Sequence, residues 1–466
     1  MGNIVRVAAD KLDGSEVTTV PPHMVGLSEA IQAQNTDPRD LRGAVTRNGR
    51  AQHGVDNGSG VAVAGLKSWT RDNGTTFLFA RLATTFYDVS AAAWASIGIG
   101  GTTGELFRAV PLNDTMVIVV DGLAPQKFTT ATLSALGGTP PSEAKYAAIF
   151  VSKVFLAGDD ANPQTKTFSK TNDPENYTAT DDAGSITTQD GGGDTIQGLA
   201  ANNKVLLTFY RNFVDVLIGD GPFNFREERL LNRGLASKTG YASVGEVVFF
   251  ASDEAIYMVA GTTISDLTTA RMRKTYQDIS DKSKISLGVK GDLLLVVDYG
   301  ADTAYACAYK YARWSEWTGQ SWQIMDTAND QTFYAGHDGG STTQIWKLDS
   351  GSLDGASTLT CKWRGPNLDF GWSDAPKNLV NARIHAKPGI GTVTLTFYKN
   401  GVSTGSTNDL SFASTGDSAW GVVHGQSALR AQYIGMQIQW TGIGTIYGWA
   451  LYAELSVDGG QIPTEA

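Results

Sequence analysis

Short apolar runs, each broken by Gly, Asn or Asp, recur along most of this chain, and that rhythm predicts strands joined by tight turns. The runs come in couplets: residues 77–80 with 84–88, 116–121 after Asn113-Asp114, 154–158 before 167–169, and 204–210 with 214–219. Three more follow at 247–251 with 255–259, 293–298 with 304–309, and 332–335 with 344–348. Successive couplets start roughly 40 residues apart, within the range for propeller blades. A lone blade cannot bury both faces, whereas a closed ring of blades can. The pattern therefore predicts an all-β chain with a β-propeller over residues 51–355. Seven couplets favour seven blades over six or eight, a count that shifts when the terminal strands share one blade.

Helix is expected at residues 28–33, with Ser28 as N-cap and Glu29 in the first turn. Residues 266–279 fit either a second helix or a loop carrying Arg271, Arg273 and Lys274. Residues 1–50 read as an N-terminal arm that contains the short helix. The Gly/Ser/Asp stretch at 351–355 suits a linker. Beyond it, residues 392–398 alternate polar and apolar side chains, and Asn400-Gly401 supplies a two-residue hairpin turn. Further alternation at 437–440 and 446–455 makes residues 356–466 a small C-terminal β-sandwich-like domain.

Composition sharpens this picture. Fifty-three glycines against 14 prolines, with 11 tryptophans and 16 tyrosines, suit many short strands and positive-φ turns. Charged residues make up 18% and apolar residues 41%, which is globular rather than disordered. A net charge of −10 argues against an exposed basic stripe that grips phosphates, though not against a protein that surrounds DNA without gripping it. The cysteines, Cys307 and Cys361, are far apart and read as small buried hydrophobes. Residues 1–10 lack the basic-then-apolar pattern of a signal peptide, and no apolar run is long enough to span a membrane. The expectation is a protein made and kept in the cytoplasm until something releases it.

Candidate chemistry dissolves into turns on inspection. Gly401-Val-Ser-Thr-Gly405 matches the nucleophile elbow of hydrolases, but that motif needs a strand entering and a helix leaving Ser403, and here a hairpin turn is expected. Thr70, Asp72, Gly74 and Phe77 fit the spacing of the Asp-box hairpin of sialidase-like propellers, which stabilises a fold and performs no chemistry. Asp159-Asp160, Asp181-Asp182 and Glu227-Glu228 are adjacent, so on a strand the members of each pair point to opposite faces and form no acid/base dyad. Asp190-Gly-Gly-Gly-Asp194 resembles one fragment of a calcium-binding repeat without its stacked neighbours. The histidines, His23, His53, His337, His385 and His424, are scattered singly with no metal-ligand spacing. The expectation is no catalytic, cofactor or metal site, and no enzyme.

Several stretches resemble the propeller proteins of tailed-bacteriophage necks and tails. Ala33-Gln-Asn35, Leu41-Arg-Gly43 and Arg47-Asn-Gly49-Arg50 are similar to their opening segment. Val154-Phe-Leu-Ala157, Ser169 and Asp173-Pro-Glu-Asn-Tyr177 are similar to a stretch midway along them. Ile196-Gln-Gly-Leu199, Leu217-Ile-Gly219 and the segment from Gly234 to Tyr257, with Val248-Phe-Phe-Ala-Ser252, continue the likeness over roughly residues 26–320. That family comprises packaged-DNA stabilisation (head-completion) proteins and the tail-hub or nozzle proteins of short-tailed phages. The resemblance implies a structural virion protein in a ring of copies around the DNA channel, with six-fold symmetry expected. It further implies portal or adaptor proteins and other tail proteins as partners, and DNA passing through the lumen without sequence-specific binding. Arg271, Arg273, Lys274, Trp363, Trp372 and Trp420 are the candidate subunit contacts, with Arg226, Arg229 and Arg233 near the basic cluster. The alternative is a glycan-binding or glycan-cleaving propeller at the host surface, which calls for carboxylates and aromatics converging at one channel mouth.

Overall fold

The strand Thr115–Val120 is apolar on both faces, and its alternate side chains enter two different cores. Met116, Ile118 and Val120 pack with Trp69, Phe79 and Phe86, while Val117 and Val119 pack with Ala147, Val154 and Leu156. The strand Leu293–Asp298 behaves alike: Leu293, Leu295 and Val297 face Trp322 and Phe333, and Leu294 and Val296 face Phe249 and Ile256. Period-two alternation thus feeds two neighbours at once, which is why these strands read as unbroken apolar runs. A sheet with two buried faces needs a sheet on either side, and a ring provides both without an end.

The computed structural model describes residues 4–12, 15–91, 93–178, 182–188, 193–268, 272–337, 339, 343–373, 375–387, 392–412, 419–424 and 429–455. Among these, seven antiparallel four-stranded blades follow in order over 63–99, 108–135, 146–187, 196–231, 241–266, 285–318 and 322–348. The last blade takes its fourth strand, Arg50–His53, from the other end of the ring, with Leu348 opposite Arg50 and Ile345 opposite His53. Each inner strand packs beside the next, and Trp322–Thr327 of blade seven packs beside Val63–Thr70 of blade one. The chain is a seven-bladed β-propeller closed by its own N-terminal side. No helix among the described residues is long and apolar enough to cross a membrane.

The rest is a two-sheet β-sandwich, and here the arm departs from expectation. Residues 1–50 are not a body of their own. Ile4–Ala9 pairs with Thr445–Leu455 in one sheet, and Ala44–Val45 pairs with the start of the same strand. Gln32–Gln34 lies in the other sheet, antiparallel to Thr360–Arg364, and meets blade six in parallel at Gln34 and Glu316. Blade six and this sandwich sheet are therefore one continuous nine-stranded sheet. The sandwich interior follows strict alternation, with Val393, Leu395 and Phe397 opposite Trp440, Ile438 and Met436. Asn400 and Gly401 take φ of 47° and 86°, the two positive values that an Asn-Gly hairpin turn requires.

The helix expected at residues 28–33 is absent; a turn and a bridge at Ala30 lead into the strand Gln32–Gln34. The N–H groups of Ala30, Ile31 and Ala33 bond outward to Ser15 O at 3.1 Å, Arg364 O at 2.8 Å and Glu16 Oε2 at 3.1 Å. Ala30 and Ala33 join the sandwich core. Tertiary partners offered more than a six-residue helix can supply to itself. Residues 273–277 do form a short helix, Arg273–Gln277, which seats Tyr276 in the core between blades five and six.

The 351–355 stretch is pinned rather than loose. Asp354, in the short strand Leu353–Asp354, receives the buried Arg47 at 2.8 Å and Arg50 at 3.6 Å. Arg47 stacks on Trp317, and Arg50 lies against both Trp322 and Trp346. A side chain at Gly49 would strike the Leu353 carbonyl, and one at Gly43 the Ile446 carbonyl, so close backbone approach demands both glycines.

Because Ile4–Ala9 and Gln32–Gln34 complete the sandwich, a fragment of residues 48–355 should melt cooperatively as a β-protein, whereas residues 356–466 alone should show no cooperative transition by circular dichroism. Joining residues 1–47 to the second fragment by a flexible linker should restore one. A cooperative transition for 356–466 alone would show that the arm is dispensable.

Glu16 lies in the seam between the arm and blade six, where it has no cationic partner among the described residues. Burial, with Glu316 adding repulsion, pushes its carboxyl up to about 8; the N–H of Ala33 partly opposes this. Tyr305 and Glu316 are the titratable groups that face it from blade six. The folded state thus holds a proton that the unfolded chain releases in the ordinary carboxyl range, so stability falls as pH rises from that range through about 8. Glu16→Gln should flatten that fall, and its urea midpoint should exceed the parent's increasingly from pH 5 to pH 9. Parallel pH profiles for the two proteins would refute the assignment.

Candidate functional site

The inner strands surround a channel cavity of about 350 Å3, mostly walled by Ala, Val, Leu and Ile side chains. Its polar groups are already engaged. Lys67 Nζ lies 2.7 Å from Asp326 Oδ1, and the other carboxylate oxygen accepts from the Ser68 N–H and hydroxyl at 2.7 and 2.6 Å. Arg108 Nε donates to the Tyr241 hydroxyl at 3.0 Å. Asp326 is the one carboxylate among the described lining residues, so the convergence of acids and aromatics that a glycan site calls for is not found there.

The motif residues hold turns and ion pairs. Ser403 opens the strand Val402–Ser411 opposite Tyr398 and accepts from the Gly405 N–H at 3.2 Å. Asp72 and Gly74 sit in the tight turn of blade one's first hairpin, where Gly74 N–H bonds Arg71 O at 2.9 Å. Asp159 caps its own turn through the Ala161 N–H, while Asp160 pairs with Lys145 at 2.7 Å. Asp181 and Asp190 lie outside the described residues; Asp182 pairs with the buried Lys153 at 2.7 Å and Asp194 accepts from the Asn212 N–H at 2.9 Å. Glu227 turns inward to Lys166, and Glu228 outward to Arg226 at 2.8 Å, the opposite facing that adjacency on a strand dictates. His53 bonds Val89 O at 2.9 Å, while His23, His337 and His385 lie against Tyr433, Trp322 and Tyr447; the His424 side chain lies outside the described residues. Burial pushes the Cys361 thiol up to about 12 and Cys307 well above its ordinary value, so both stay protonated.

Three of the basic residues, Arg229, Arg233 and Arg273, do come near one another, from segments some forty positions apart in sequence. Between blades four and five, the rim carries an open groove of about 440 Å3 lined by Arg229, Leu230, Leu231, Asn232, Arg233, Glu254 and Tyr257. Arg273, from the short helix, is close enough to bias Tyr257, whose hydroxyl is raised chiefly by burial. Every arginine here has an acid: Arg229 with Asp215 at 2.5 Å, Arg233 with Glu254 at 2.8 Å, Arg273 with Asp266. Arg229 also stacks 3.5 Å over Phe213. Lys274 is exposed, and Arg271 lies outside the described residues.

The tryptophans divide. Trp363 is 2% exposed in the sandwich core against Trp449, so it is removed from the candidate contacts; strand alternation places it opposite Ile438, inside. Trp372 is half-buried at the mouth of a turn whose carbonyl accepts from Lys377, and the Trp420 side chain lies outside the described residues. Sequence reasoning missed Phe223, wholly exposed on the loop before Arg226–Leu231, although Asp-Gly-Pro ahead of it is a turn signal.

No protein-family model matches this chain, and no curated protein matches it. Solved structures do resemble it in shape. The Pan2 WD40 domain of Neurospora crassa aligns with a TM-score of 0.44 at 8% identity, covering 66% of this chain and 96% of that one. BamB from Moraxella catarrhalis gives 0.40 at 10%, covering 68% and 96%. The extracellular domain of a putative hybrid two-component system from B. thetaiotaomicron gives 0.45 at 10%, covering 80% and 47%. At such identities the likeness concerns the propeller fold alone.

Lys166 is fully buried, and its ammonium is held by Glu227 and by Thr188 Oγ1 at 3.0 Å. Lys166→Ala should cost ~3–5 kcal/mol in urea unfolding, because Glu227 loses its counter-charge inside the blade three–four seam. Replacing both members by apolar residues of similar volume (Lys166→Met with Glu227→Leu) should recover most of that loss. An equal loss in the double variant would show that packing, not unpaired charge, sets the cost.

Proposed function

We propose that this protein is a structural subunit of a tailed-bacteriophage virion, a head–tail connector or tail-hub/nozzle subunit that assembles in a ring around the DNA path. The observation that carries this reading is the double anchoring of the N-terminal arm. Of the residues on which the opening resemblance rests, Asn35 bonds both propeller and sandwich, Gly43 lies against the sandwich strand Thr445–Leu455, and Arg47, Gly49 and Arg50 seat the arm on the propeller. A part that must bear force between head and tail benefits from two bodies joined along a continuous sheet rather than through a flexible linker.

The propeller's own channel cavity is only about 350 Å3, too small for a duplex, so in this reading the DNA lumen lies between copies and not within one. A chain of net charge −10 then lines a path along which phosphate is repelled rather than held. Partners are other copies, portal or adaptor proteins and neighbouring tail proteins, and the location is the virion neck or tail. Labelled antibody against this chain, imaged on intact particles, tests the placement; label confined to unassembled host extract would reject it.

The passive-channel reading makes a further demand. The rim arginines are each matched by a carboxylate, so they release few counterions and form no phosphate track. The isolated subunit should not shift duplex DNA in a gel at moderate salt. Tight binding that collapses steeply with added salt would favour an active DNA clamp instead.

A further inference from the structure

We propose that the outer edge of blade four is a two-fold contact between two copies of this chain, formed by a short antiparallel ladder of Arg226-Glu227-Glu228, at the start of the strand Arg226–Leu231, with the same three residues of the second copy, centred on Glu227. This strand closes its blade on one side only, and no strand among the described residues pairs with its outer edge. An edge that meets no strand among the described residues is a template for one more.

Charged side chains on an edge usually ward off such pairing. Among registers centred on these charged residues, Arg226-Glu-Glu-Arg229, their order permits one. In an antiparallel pair, directly opposed residues share a face, so like charges placed opposite each other disfavour a register. Centring on Glu228 would oppose two outward carboxylates, and centring on Arg226 or Arg229 would oppose two guanidiniums. Centring on Glu227 sets Arg226 of each copy opposite Glu228 of the other, twice across the axis. Both side chains are exposed, 70% and 49%, and in the single chain they pair with each other at 2.8 Å, so the contact exchanges one ion pair within each copy for one across the axis. The opposed Glu227 carboxylates are turned inward, each already neutralised by its own Lys166 and bonded by Thr188 Oγ1 at 2.9 Å.

The same register has a second consequence that does not depend on charge. It brings the loop ahead of the strand alongside the far end of the partner strand, where Leu230, Leu231 and Tyr257 line the rim groove of about 440 Å3. That loop presents Phe223, fully exposed. The loop is braced from within: Asn224 Oδ1 accepts the N–H groups of Asp220 and Gly221, each at 3.0 Å, and the Asn224 amide returns a bond to Asp220. An aromatic ring held out on a braced loop loses little entropy on seating, which is how an anchor residue behaves. Two copies related by the axis would each place Phe223 at the groove of the other. The contact is isologous and closed, so by itself it yields a dimer; it is a contact of the chain free of the polar ring, goes beyond the virion reading and does not rest on it.

The test is a concentration series of the full chain by light scattering after size exclusion, with equilibrium sedimentation for the dissociation constant. A dimer is expected. Phe223→Ser should weaken it ~tenfold or more, and Arg226→Glu or Glu228→Arg alone should do the same. The two reversals together restore opposite charges across the axis and should return most of the affinity, a rescue that no surface-solubility effect would give. Circular dichroism melts check that each variant keeps the parent's fold. A monomer at high micromolar concentration, a dimer or larger ring indifferent to Phe223→Ser, or a double reversal no better than either single one would each overturn the contact. Such a result leaves the virion assignment to be judged on the particle itself.

Discussion

Propeller and sandwich meet where the N-terminal arm runs between them, and the amide of Asn35 bonds to both. Its nitrogen donates to Thr318 Oγ1 of blade six at 3.1 Å and to Thr360 O of the sandwich at 2.9 Å, and its oxygen accepts from the Thr318 N–H and from Arg47. The backbone of Asn35 takes φ of 56°, a conformation that asparagine tolerates better than most residues. From there the arm turns through Arg47, whose guanidinium is buried on Trp317 and paired with Asp354, into the strand that closes the ring. Ring closure and the joint between propeller and sandwich therefore hang on one short stretch of chain. Breaking a buried polar node leaves several groups unpaired at once, which is costlier than losing any one bond.

The charges follow the same logic of internal satisfaction. Lys153, Lys166 and Arg47 are almost wholly buried, and each reaches a carboxylate. Asp349 gathers Arg39 and Lys290 at 2.7 and 3.0 Å; burial alone would raise its carboxyl, yet Arg39, Asn48 and Lys290 together outweigh burial and hold it below the usual range. Pairs of this kind add little net stability compared with apolar packing, but they penalise wrong arrangements because a misplaced charge stays bare. In a ring of similar blades, where one seam looks much like another, such penalties help each blade find its own neighbour. An unaided count of acidic and basic side chains overstates how much charge is on offer to partners.

Much of the candidate chemistry was legible from the sequence because it was local. The Asn400-Gly401 turn, the opposite facing of Glu227 and Glu228, and the structural use of Ser403 follow from residues adjacent in the chain. The rim groove was half legible: its arginines stood out, but not the acids that match them, since Asp215 reaches Arg229 across a hairpin and Glu254 reaches Arg233 from another blade. Phe223 carried only a turn signal, and its exposure depends on a loop that no neighbour covers.

The blades themselves were written in the order of residues. Alternation with period two, broken by turn formers, specifies a strand and its faces, and seven such couplets required a closed arrangement to cover them. Tertiary structure alone decided what lies beyond a hairpin's reach. Ile4 pairs with Glu454 and Gln34 with Glu316, partners hundreds of positions apart that no local pattern announces. The stretch at residues 28–33 had helical caps, yet Arg364 and Glu16 took its N–H groups. Trp363 read either as a contact ring or as core, and a second sheet covering it decided for the core. Local preference is worth tenths of a kcal/mol per residue, roughly, while a buried hydrogen bond or an aromatic side chain removed from water is worth several times that, so the distant partner wins wherever the two disagree.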